Sequence, residues 1–91
     1  MQITIGVIIM TYVEAISKRI MKLCQKRGLT INGISSLSGL RQSTVNGIVK
    51  CITKNPTLKT LHKIATGFHM TVSEFLDFPE MNETFFEDEQ E

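Results

Sequence analysis

LTINGISSLSGLRQSTVNGIVK, residues Leu29 to Lys50, sets apolar side chains at Ile34, Leu40, Val45 and Ile48 among polar ones. Thr30 is a good N-cap for a helix running to about Ser38, and Gly39 supplies a tight turn. A second helix is predicted from about Arg41 to Lys50. It places Val45 and Ile48 inward and Gln42, Ser43, Asn46, Gly47 and Lys50 outward. Two short helices about such a turn make a helix-turn-helix, in which the second helix offers its polar face to the major groove of double-stranded DNA.

The charges point the same way. The net charge of +1 hides an asymmetry, because all ten Lys and Arg residues lie between Lys18 and Lys63. From Tyr12 to Phe78 the only acids are Glu14, Glu74 and Asp77, whereas Pro79 to Glu91 holds six acids and no base. A basic body beside an acidic tail suits a nucleic-acid surface next to a solvated or regulatory segment. Two behaviours are open to Glu87-Asp88-Glu89 and Glu91: folding back on the basic face to weaken non-specific DNA binding, or remaining solvated. Ninety-one residues lead us to expect one small domain with no separate sensor.

Enzyme and metal chemistry find little footing. Cys24 and Cys51 have neither CxxC spacing nor a His pair that would complete a zinc site, so no metal is expected. Cys24 follows Ile16, Ile20 and Leu23 at helical spacing and reads as a small buried hydrophobe; Cys51, just past the second helix, reads as the more exposed. His62 reads as a surface residue and His69 as a loop residue. No Ser-His-Asp, Cys-His or paired-carboxylate constellation emerges, so neither catalysis nor a cofactor is expected. The apolar run Ile3 to Met10 is too short to span a bilayer and lacks the basic start and cleavage site of a signal peptide. A cytoplasmic protein without a membrane partner is the expectation, in which the Asn82-Glu83-Thr84 sequon has no use.

The rest of the chain reads as helices in order. Residues 1–11 form an apolar, β-branched extension. It could be an edge strand pairing with a second copy, a hydrophobic flap, or a lead-in to a domain starting near Met10. Val13, Ile16, Ile20, Leu23 and Cys24 make one face of a helix over Tyr12 to Arg27, ended by Gly28 in the left-handed conformation. Lys18, Arg19, Lys22 and Lys26 fall on its polar side, turned away from DNA in this reading. Asn55-Pro56-Thr57 opens a fourth helix carrying Leu58, Leu61, Ile64, Ala65 and Phe68 inward. Thr71-Val72-Ser73-Glu74 is a capping box for a short fifth. Residues 79–91 lack periodicity and read as a flexible acidic tail.

This order resembles the lambda-repressor-like, Cro/XRE-type helix-turn-helix family over roughly Tyr12 to Phe78. The resemblance rests on Leu29-Thr30, Ser35, Gly39 and Ser43-Thr44-Val45. It continues through Asn55-Pro56-Thr57-Leu58-Lys59-Thr60-Leu61, Lys63-Ile64-Ala65 and Thr71-Val72-Ser73-Glu74-Phe75-Leu76. It implies an all-α, compact five-helix DNA-binding domain. It also implies base reading by Gln42, Ser43 and Asn46, with Gly47 permitting close backbone approach, and phosphate contacts from Thr30, Asn32, Arg41, Lys50 and Lys54.

Three positions depart from the pattern. Ile31 stands where the family usually places a phosphate-anchoring Gln, and Cys51 and His69 stand where glycines are usual. The last two require either positive φ at a cost or a different loop. Leu37 also falls where the family is often polar.

The function expected is a sequence-specific regulator, a repressor by analogy, binding a pseudo-palindromic operator as a homodimer. The dimer would form through Phe75, Phe78 and following residues, or through the Ile3 to Ile9 segment. The alternatives are the DNA-binding antitoxin of a toxin–antitoxin pair, with a protein partner, and a protein-interaction module with weak DNA affinity.

Overall fold

The computed structural model describes residues 9–83 and 85–86. Its helices are α1 (Tyr12–Arg27), α2 (Ile31–Ser38), α3 (Gln42–Val49), α4 (Leu58–Gly67), α5 (Val72–Leu76) and α6 (Pro79–Glu83). Two short strands, β1 (Ile9–Met10) and β2 (Phe85–Phe86), pair in parallel, with Ile9 opposite Phe85 and Met10 opposite Phe86. The architecture is the expected all-α one, with α1 and the chain ends closing it.

Local chemistry sets the helix ends. Thr11 caps α1, its hydroxyl accepting from the Glu14 amide while the Glu14 carboxylate accepts from the Thr11 amide. Thr71 and Glu74 make the same reciprocal pair at α5. Either arrangement satisfies two otherwise orphaned backbone donors. The predicted box at Thr71 is thus present; the one at Thr11 carries the same T-x-x-E signal and had gone unread. Gly28 ends α1 at φ 64°. Cys51 and His69, where glycine is usual, both take φ 60°. The loops therefore keep the left-handed backbone despite their side chains.

One core holds the helices together. Val13, Ile16, Ile20, Leu23 and Cys24 of α1 meet Ile34 of α2, Val45 and Ile48 of α3, Ile64 and Ala65 of α4, and Phe68 and Phe75. The Phe68 and Phe75 rings lie 6.3 Å apart. Gly67 is what lets α4 approach α2: a Cβ there would lie 2.4 Å from Ser38 Oγ and 3.1 Å from Ile34 Cδ1. That hydroxyl is buried with no hydrogen-bond partner.

A second cluster of Met10, Ala15, Phe78 and Phe86, with Met81 against it, joins the chain ends. It corrects two expectations. Residues beyond Pro79 do not begin a structureless tail, since α6 forms and Phe86 stacks on Tyr12 with ring centroids 4.0 Å apart. The described end of the apolar extension pairs with its own chain's Phe85–Phe86 and not with a second copy. The expectations for Ile3 to Ile8 and for Glu87 to Glu91 fall outside the described residues. Phe75 and Phe78 are 0% and 5% exposed, so neither offers a dimer surface. Leu37 is 54% exposed and does not pack away under α4.

Candidate nucleic-acid interface

The helix pair α2–α3 is built from its turn outward. Thr30 Oγ1 accepts from the Gly33 amide at 2.9 Å and starts α2. Gly39, at φ 69°, ends it, and the Gly39 and Leu40 amides return to the Ser36 and Ser35 carbonyls. Arg41 is the N-cap of α3 but makes no side-chain capping bond. Val45 and Ile48 are buried on the core, which fixes the rotation of α3 about its axis. Gln42 and Ser43 are consequently exposed, and Asn46 and Gly47 half-exposed, along the opposite side.

Beyond α3, the Ile52 and Thr53 amides both donate to the Gly47 carbonyl, at 2.8 and 3.0 Å. A Cβ at Gly47 would sit 2.9 Å from Thr53 Oγ1. The glycine therefore has a folding task, closing this loop, in addition to the DNA approach proposed for it. The left-handed Cys51 reverses the chain there and leaves Ile52 71% exposed.

The five phosphate candidates flank this face. Thr30 and Asn32 sit at the start of α2, Arg41 at the start of α3, and Lys50 and Lys54 at and after its end, all exposed. The first amides of a helix attract anions by dipole and by free N–H groups. Thr30's hydroxyl accepts the capping bond yet keeps its own proton to donate. Ile31 is half-buried and packed against the core, so it offers nothing to a phosphate.

Two cations assigned to the polar side of α1 are engaged internally. Arg19 donates to the Phe75 and Glu74 carbonyls at 2.9 and 3.0 Å, with its guanidinium 5.1 Å above the Phe78 ring. Arg27 donates to the Phe68 carbonyl at the end of α4 and lies over the Phe68 ring. Helix periodicity could not reveal these bonds, because their acceptors are backbone groups more than forty residues away.

Cys24 is buried, as its spacing predicts, and burial pushes its thiol above the usual range. Cys51 is half-buried against the core, and His62 and His69 are exposed. Among the described residues no group of three or more His, Cys, Asp or Glu is placed to hold a metal ion. Among them, too, no helix is long and apolar enough to cross a membrane.

A buried-backed polar helix presented by a glycine turn, with cations around it, defines a helix-turn-helix DNA-binding module. Residues 19–80 match the family model of the Cro/C1-type helix-turn-helix DNA-binding domain, and the chain belongs to that family. It is a DNA-binding protein of the Cro-like, XRE-type class of transcription regulators. Among solved structures, prophage Lp1 protein 11 is 39% identical over 82% of this chain and 99% of its own, with a TM-score of 0.72. An HTH_3 family transcriptional regulator from Vibrio cholerae is 28% identical over 71% of this chain and 36% of its own, at 0.65. The restriction-modification controller protein C.AhdI from Aeromonas hydrophila is 27% identical over 69% of this chain and 94% of its own, at 0.62. No curated protein matches the chain in sequence.

Proposed function

We propose that the protein is a sequence-specific transcriptional repressor that occupies a pseudo-palindromic operator as a homodimer and reads it through α3. The observation that carries this reading is the exposed row Gln42, Ser43 and Asn46, held outward by buried Val45 and Ile48. A primary amide can bind the N6 and N7 edge of adenine with two hydrogen bonds, which Gln42 and Asn46 both supply. Arg41, Lys50, Lys54, Thr30 and Asn32 hold the backbone and set the register without choosing sequence. The prophage protein and the restriction-modification controller among similar structures support a regulator of this compact kind.

A single small domain contacts few base pairs, so two copies spaced by a helical turn give the specificity an operator needs. With Phe75 and Phe78 inside, the apolar surface left for pairing is the groove lined by Pro56, Leu61, Leu76 and Met81. Leu58, 65% exposed, lies one helical turn before Leu61.

The test is selection from a randomised DNA pool, followed by fluorescence-anisotropy titration of wild type and Gln42→Ala. A two-fold-symmetric motif is expected, with discrimination at one adenine falling by about 1–3 kcal/mol in the variant. No enrichment, or binding indifferent to Gln42, would overturn the reading. Leu58→Lys is expected to shift sedimentation toward the monomer.

A further inference from the structure

Lys18, Lys22 and Lys26 recur every fourth residue and share one stripe of α1. The sequence alone turned that stripe away from DNA, but the structure divides it. Lys18 and Lys22, with Gln25, line a groove between α1 and the start of α2, whose opposite wall includes Thr30 and Ile31. Lys26 is absent from that groove and lies against α6 beside Phe78, Pro79 and Glu80, in a second groove that Lys18 and Lys22 also border.

The first groove is tied to the reading helix. Ser17, part of its lining, donates at 2.6 Å to the Val49 carbonyl in the last turn of α3, next to Lys50. Lys18 and Lys22 therefore stand between the start of α2 and the end of α3, on the flank of the DNA-reading face. At this edge Ile31 is turned to the core, and one lone pair of the Thr30 hydroxyl is committed to capping Gly33. The edge offers free helix amides but, apart from these lysines, little mobile positive charge.

We infer that Lys18 and Lys22 grip the phosphates of the DNA strand passing the start of α2, replacing the anchor that Ile31 does not provide. The inference rests on α3 being the DNA-reading helix. Each ammonium displaces condensed counterions from the duplex and adds affinity without sequence preference.

The full chain, titrated by anisotropy against its selected DNA across a salt series, tests this with Lys18→Gln, Lys22→Gln, their double variant and Lys26→Gln. The double variant is expected to lower the slope of log affinity against log salt by about two, roughly 0.9 per phosphate lost. Its base preferences and thermal melt should match wild type, since both side chains are exposed. An unchanged slope, or a drop with Lys26→Gln equal to that with Lys18→Gln, overturns the inference and leaves α3 as reader. Failure of wild type to bind any DNA overturns both.

Discussion

The main core and the cluster at the chain ends are both apolar and both buried, yet they are assembled differently. The first takes its side chains from repeating faces of α1, α2, α3 and α4, so each residue is backed by others one turn away. The second takes Met10 from a strand, Ala15 from α1, Phe78 from a loop and Phe86 from the far end of the chain. Helical repetition makes the first cooperative, because one side chain cannot leave without uncovering several. The second depends on closing a loop of some seventy residues around a few contacts, and can open by itself.

The sharpest test of that contrast is Phe68→Ala, which leaves a cavity where no exposure now exists. Its expected cost in urea unfolding is about 3–5 kcal/mol. Arg19→Met severs the contact that spans both regions, two bonds to α5 carbonyls and the stacking on Phe78. It should cost about 2 kcal/mol, with faster amide exchange spreading from α5 to α6.

Phe86→Ala should cost only about 1 kcal/mol of global stability, because opening of the ends limits what its loss can take away. Its faster exchange should be confined to residues 9–12 and 79–86. A cost equal to that of Phe68→Ala would show one cooperative core, and the contrast would fail. The smallest effect concerns strain within the main region. His69→Gly relieves a left-handed backbone costing about 1–2 kcal/mol but loosens the unfolded chain by about 0.4–1, for a net gain of about 0.5 kcal/mol in thermal unfolding. Cys51→Gly should gain less, since Cys51 also packs on the core.

The same contrast explains what could be read from sequence. The faces of α1 to α4, the turn at Gly39 and the cap at Thr71 follow from spacing and from residues adjacent in the chain. Both left-handed non-glycine positions were visible as departures from a pattern, though not how they would resolve. Phe78 and Phe86 were not legible as partners of Met10, because nothing periodic links residues so far apart; aromatic side chains in acidic surroundings give no register. At the candidate interface, the outward direction of Gln42 and Ser43 was legible, whereas the tasks of Arg19 and Arg27 and the loop contact at Gly47 were not. These depend on backbone groups brought near only by folding.

The parallel pairing of Ile9–Met10 with Phe85–Phe86 also decides how the molecule bears tension. Whatever precedes Ile9 and whatever follows Phe86 leave the ribbon from its opposite ends. A pull through both directions slides the strands along one another and loads their bonds together, where an antiparallel hairpin would peel open one bond at a time. The chain ends are thus fastened in shear, and a force transmitted through attached segments meets this fastening before it reaches the helices beneath.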